Sequence, residues 1–134
     1  MTNKRLWHIQ EYPFLPEKHR HYETIFAIGN GYLGTRGSFE EGWQDDLPAT
    51  LVHGIFNHSL DMSVPELVNA PNWLPFIITI DDTPFTMKTH ADNILRPQNG
   101  MMLGYRRTLH MDTATLKREV LFRAESGSTV QITF

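Results

Sequence analysis

Apolar and polar positions alternate along the last part of the chain. Leu116, Arg118, Val120, Phe122 and Ala124 interleave with Lys117, Glu119, Leu121 and Arg123, a period of two that turns the first set inward and leaves the second wet. Glu125-Ser-Gly-Ser128 is a turn cluster and Thr129 to Phe134 alternates again, so residues 116–134 read as a hairpin. Tyr105 to Met111 is a strand that reaches it through Asp112-Thr-Ala-Thr115. Upstream, Leu74 to Ile80 and Pro84 to Met87 flank a turn at Asp81-Asp82-Thr83, and Ala49 to Phe56 and Glu23 to Ile28 complete six or seven short strands. Eight prolines and nine glycines leave no window of about 12 residues with a helical apolar stripe. The expectation is all-β with little helix: an antiparallel β-sandwich or barrel. Residues 38–48 and 57–73 read as long loops, the second with at most a helical turn around Val64 to Val68.

At 134 residues the chain is the size of one domain, enough to bury about 68% of its unfolded surface around a single core. Its formal charge of -3, with both signs scattered, argues against nucleic acid or an anionic membrane as partner. The absence of cysteine excludes disulfides, thiolate metal sites and cysteine nucleophiles, and makes the cytoplasm the expected setting. No stretch has the apolar core of a secretory signal or the roughly 20 apolar residues of a membrane span. The apolar strand pattern runs to Phe134 with no polar tail or turn after it, so the sequence reads as cut rather than finished.

Residues 29–37, GNGYLGTRG, open with the G-x-G-x-x-G spacing of a dinucleotide loop. That loop must start a helix, yet Gly37, Gly42 and Pro48 follow, and the next strand ends at Phe56 without a carboxylate. No Lys-Ser/Thr follows either, which excludes a P-loop. The cluster Gly29, Gly31, Gly34 and Gly37 instead marks backbone that a side chain would block. Two readings stand: a tight structural corner, or a corner that also presents Tyr32 and Arg36 to something.

The stretch Glu23-Thr-x-Phe26-Ala-x-Gly-Asn-Gly31-Tyr-Leu-Gly34-x-Arg36-Gly37-x-Phe-Glu-Glu41 resembles the N-terminal signature of glycoside hydrolase family 65. That family contains maltose, trehalose and kojibiose phosphorylases and some trehalases. Trp7, Glu11 and Phe14 ahead of it, Val52-x-Gly54-Ile-Phe56, Glu66-Leu-Val-Asn-x-Pro71-x-Trp73, Tyr105-Arg-Arg-x-Leu109-x-Met111 and Leu116-x-Arg118 follow the same pattern in order. The resemblance implies a galactose-mutarotase-like super-sandwich followed by a linker and an (α/α)6 barrel that holds the active site. It implies inverting chemistry on an α-linked glucose disaccharide, with inorganic phosphate as co-substrate in a phosphorylase or water in a hydrolase. The family's catalytic glutamic acid and phosphate site belong to the barrel, so no catalytic residue and no cofactor is assigned here, and this chain alone is expected to be inactive.

The partners implied are the barrel of a parent chain and the disaccharide, with a homodimer as a further option through open sheet edges. Asn30, Tyr32, Arg36, Glu40 and Glu41 are the candidates for contacting substrate or the domain interface, Arg36 through a guanidinium suited to a carboxylate; the alternative for Arg36 is a pair with Glu23 or Glu40 inside the domain. Glu40-Glu41 and Asp45-Asp46 read as solvated acidic pairs. A mutarotase-like site would need a His and a carboxylate converging inside the sheet; His53 and His110 sit in strand-like segments and read as hydrogen-bonded core or surface residues instead. His19-x-His21 lacks a third ligand at a metal spacing, so no metal is expected. Trp7, Trp43 and Trp73 are expected to pack in the core or an interface rather than to stack on sugar. A free-standing carbohydrate-binding sandwich is the alternative function.

Overall fold

The computed structural model describes residues 7–44, 46–58, 64–87 and 100–134. Among these the chain forms antiparallel sheets and little helix, an all-β architecture. One sheet has the order β1 (His8–Glu11), β8 (Met101–His110), β9 (Thr115–Arg123), β10 (Thr129–Thr133). The second runs β2 (Ile28–Gly29), β3 (Leu33–Thr35), β4 (Thr50–Asn57), β5 (Glu66–Ala70), and β6 (Thr79–Ile80) with β7 (Thr83–Pro84) makes a small ribbon.

The period of two in the C-terminal hairpin survives intact. Val120, Phe122 and Ala124 are buried with Arg118, and β8 buries Tyr105, Arg107 and Leu109 at its own alternate positions. Tyr105 stands opposite Val120 and Arg107 opposite Arg118. This inner face is closed by Phe14, Phe39, Phe85 and Met87, with Trp43 packed against them. Phe14 gathers the aromatic layer, its ring centroid lying 5.5 Å from Phe39, 5.4 Å from Trp43 and 5.3 Å from Tyr105. Burial of each such ring stabilises by about 1.5–3 kcal/mol.

Three elements differ from expectation. Residues 23–28 are not a strand: His19–Ile25 is a helix, α1, leaving only Ile28–Gly29 extended. Its buried face is polar, with His19 and Glu23 one turn apart, so the 3.6 period carries no apolar stripe to detect. Residues 66–70, read as part of a long loop with at most a helical turn around Val64 to Val68, are instead β5, which pairs with β4. Only Thr79 and Ile80 of residues 74–80 and only Pro84 of residues 84–87 are strand, although the turn at Asp81 and Asp82 is where it was expected. The 38–48 segment is irregular as read; Asp45 lies outside the described residues, as do residues 59–63 of the second expected loop.

A row of charges crosses the interior of the first sheet. Glu11, Arg107 and Arg118 are successive cross-strand partners on β1, β8 and β9, and all three are buried. Glu11 accepts a hydrogen bond from the Tyr105 hydroxyl. Burial raises its carboxyl above the ordinary 4.5, against the lowering pull of that hydrogen bond and of Arg107. The folded state therefore holds this proton more tightly than the unfolded chain, and the contribution is complete below 4.5 and lost as pH rises through the folded value. Glu11→Gln should flatten the fall in stability on the alkaline side of 4.5, read from thermal unfolding between about pH 4 and 8. An unchanged pH profile would rule Glu11 out as its source.

Candidate functional site

The segment that carries the family-like signature leaves α1, makes the β2–β3 corner and then crosses the inner face of the first sheet. At the corner, Asn30 Oδ1 accepts hydrogen bonds from the backbone N–H groups of Tyr32, at 3.0 Å, and Leu33, at 2.8 Å. Gly31 sits at φ +85, a left-handed position that glycine occupies without penalty. Asn30 is thus spent on shaping the turn, and Tyr32 projects from it, 65% exposed. Gly37 answers to crowding: a Cβ there would lie 2.7 Å from Phe26 Cβ and 2.8 Å from Arg107 Nη2. Gly29 is similarly tight against the Leu33 carbonyl, whereas Gly34 has ordinary room. An antiparallel corner with no helix after it is incompatible with the dinucleotide loop, as the sequence indicated.

The charged members of the signature turn into their own domain. Arg36 Nη2 donates to Thr24 Oγ1 at 3.0 Å and to the Arg20 carbonyl at 3.3 Å, and lies 3.6 Å from Glu23 Oε2. Glu23, fully buried, also accepts from Ser38 Oγ at 2.6 Å and from the Leu47 N–H. Glu40 and Glu41 are not a solvated pair. Both hold the buried Arg118 guanidinium: Glu40 Oε2 is 2.7 Å from Nη2, and Glu41 takes both Nη1, at 2.7 Å, and Nη2 in a bidentate fork. Phe39, between these elements, lies under two cations, 4.4 Å from Arg118 and 5.2 Å from Arg107. Arg107 adds a bond to the Gly37 carbonyl, which ties the signature to β8.

Arg36→Met is accordingly expected to lower stability by about 1 kcal/mol, the scale of a few partly exposed hydrogen bonds. In a longer enzyme carrying this domain it should leave kcat and KM where they were. A raised KM with unchanged stability would return Arg36 to the substrate side.

What the corner offers outward is apolar. Beside Tyr32 a shallow hollow of about 280 Å³ is lined by Leu33, Leu51, Val52, His53 and Leu67. Along β4 and β5 the exposure continues through Ile55, Phe56 and Leu67, with Phe56 directly opposite Leu67 across the strand pair. Trp73 and Ile77 are exposed further along the chain and Trp7 is about half exposed, so of the three tryptophans Trp43 is the one that packs on the core. His53 lines the hollow, and His19 bonds through Nε2 to Asp46 while His21 faces solvent.

Residues 9–134 match the family model described as glycosyl hydrolase family 65, N-terminal domain. The chain belongs to that family. A kojibiose phosphorylase of Caldanaerobacter subterraneus subsp. tengcongensis is 33% identical over 111 residues, which are 83% of this chain and 13% of that protein. A second kojibiose phosphorylase, from Thermoanaerobacter brockii, is 31% identical over 94% of this chain and 15% of its own length. A 1,2-alpha-glucosylglycerol phosphorylase of Bacillus selenitireducens is 31% identical over 80% of this chain and 12% of its own. The family 65 fold is also seen in a solved structure, a putative kojibiose phosphorylase from human microbiome, which superposes with a TM-score of 0.74 at 21% identity over 95% of this chain and 17% of that one. The family 65 domain described here thus spans about a seventh of the relatives it matches.

Proposed function

We propose that this family 65 chain is the non-catalytic N-terminal part of a carbohydrate-active enzyme, a phosphorylase or hydrolase of α-linked glucose disaccharides. In this reading it is the first portion of a galactose-mutarotase-like super-sandwich in a cytoplasmic protein, and it serves as scaffold and interdomain contact near the substrate mouth of an (α/α)6 barrel. The observation that carries the reading is the division of the signature into two faces. Its acids and Arg36 are consumed by internal bonds, while Tyr32, Ile55, Phe56 and Leu67 form an exposed apolar surface that has no use in an isolated domain. The occupant of that surface is the remaining chain of the enzyme, which in the relatives is several times longer than this domain.

The charge network has no place in the chemistry on this account. A general acid must reach the glycosidic oxygen, and Glu40 and Glu41 are instead locked on Arg118. Phosphate, where it is the co-substrate, would act in the barrel.

The test is to incubate the isolated chain with kojibiose, maltose or trehalose and inorganic phosphate, and to titrate it with the same glycans. Neither glucose 1-phosphate release nor saturable binding is expected. Sugar binding by the isolated chain at the Tyr32 hollow, abolished by Tyr32→Ala, would favour the free-standing carbohydrate-binding module instead.

A further inference from the structure

Independently of that reading, the geometry points to a divalent metal site on the outer face of the first sheet, made by His8, His110 and Asp112. We propose that these three side chains bind one borderline transition ion of the Zn(II) class. The histidines are 102 residues apart in sequence, yet they are direct cross-strand partners on β1 and β8. Their rings meet edge to face with centroids 4.4 Å apart. Asp112 follows in the β8–β9 turn, with Oδ1 3.8 Å from His8 Nε2. One ligand atom from each residue falls within 4.8 Å of the others.

Tetrahedral Zn(II) with nitrogen and oxygen ligands near 2.0–2.2 Å sets ligand atoms about 3.4 Å apart. The His8–Asp112 distance is therefore a few tenths of an ångström from a coordinated one, within the reach of small side-chain rotations. The backbone beneath is fixed: the β1–β8 ladder runs through His8 and His110, and the Met111 N–H donates to the Trp7 carbonyl at 2.8 Å, anchoring the turn to the strand. Two imidazoles and one carboxylate suit zinc better than a hard cation such as magnesium. His8 and His110 also border a solvent hollow of about 420 Å³ shared with Gln10 and Thr108, which provides an entry path and room for water as the fourth ligand. Two cations, Lys117 and Arg106, line the same hollow, and Lys117 is paired with Glu119 at 2.8 Å.

The second His–carboxylate group, His19 with Glu23 and Asp46, is a poorer candidate although equally close. Its oxygens already accept bonds from Ser38, Leu47 and the Trp43 N–H. A metal there would have to displace the internal donors that hold the 38–48 segment.

The experiment is Co(II) titration of the tag-free chain, followed by visible absorption, with Zn(II) competition. One equivalent is expected to bind with the absorption of a tetrahedral nitrogen and oxygen site, and Zn(II) should displace it. His8→Asn and His110→Asn are each expected to weaken binding at least about tenfold, Asp112→Asn by less, and His21→Asn not at all. Thermal unfolding in EDTA, unchanged in these surface variants, shows that they fold. Absence of stoichiometric binding, affinity in His8→Asn and His110→Asn unchanged from the parent chain, or loss of binding in a folded Asp46→Asn would each overturn the assignment.

Discussion

Arg118→Met should cost the domain about 3–5 kcal/mol, the penalty of removing one partner from a buried ion network. The guanidinium is almost fully buried, and it is the shared partner of Glu40 and Glu41 while its plane stacks 4.0 Å from Phe134 and 4.4 Å from Phe39. Methionine retains most of the apolar contact and none of the charge, so the nearly buried Glu41 carboxylate and the partly exposed Glu40 carboxylate both lose their cation. The urea midpoint is expected to fall by roughly 1–3 M. Adding Glu40→Gln and Glu41→Gln to the same chain should recover part of the loss, because the unpaired charges then disappear together. A shift as small as that of an exposed salt bridge, under about 1 kcal/mol, would mean that the carboxylates find solvent and that the network is peripheral.

The second large effect separates the isolated domain from a whole enzyme. Phe56→Asp changes a residue that is 56% exposed here, and Leu67 opposite it is exposed to a similar degree. In the isolated chain the substitution should move stability by no more than about 0.5 kcal/mol, as surface changes usually do. In a full-length enzyme, if the rest of the chain covers β4 and β5 as proposed, the same carboxylate must be desolvated without a partner. Docking should weaken by about 2–3 kcal/mol. The expected signs are a split of the single thermal transition into two and a loss of kcat/KM without loss of expression. Equal behaviour of variant and parent in the full-length protein would leave the β4–β5 face without a role in assembly.

Much of this fold can be read from alternation. In β9 the inward set Arg118, Val120 and Phe122 follows the period of two without exception, arginine included, because strand geometry assigns faces regardless of chemistry. What alternation hides is what a polar residue does once inside. Arg107 and Arg118 face each other in the core, and their compensation arrives from Glu11 on β1 and from the Glu40-Glu41 loop, partners distant in sequence. Acids adjacent in a loop look solvated until the sheet they cross is known. Helix α1 was illegible for the related reason that its buried face is His19 and Glu23. Within the family signature the structure divides the residues: Asn30 and the glycines shape the corner, Arg36 braces α1, Glu40 and Glu41 hold Arg118, and Tyr32 is an exposed aromatic ring at the corner. The His8–His110 pairing lay beyond sequence reading altogether, since strand register alone brings those side chains together.

Hydrogen–deuterium exchange on two proteins, the 134-residue chain and a full-length family 65 enzyme that begins with it, tests the docking claim most directly. Amides of Leu51 to Asn57 and of Glu66 to Ala70 are expected to gain protection in the longer protein, together with the Tyr32 corner, while β8 and β9 exchange alike in both. Identical exchange of β4 and β5 in the two proteins would contradict the claim that this sheet is the surface on which the rest of the enzyme rests.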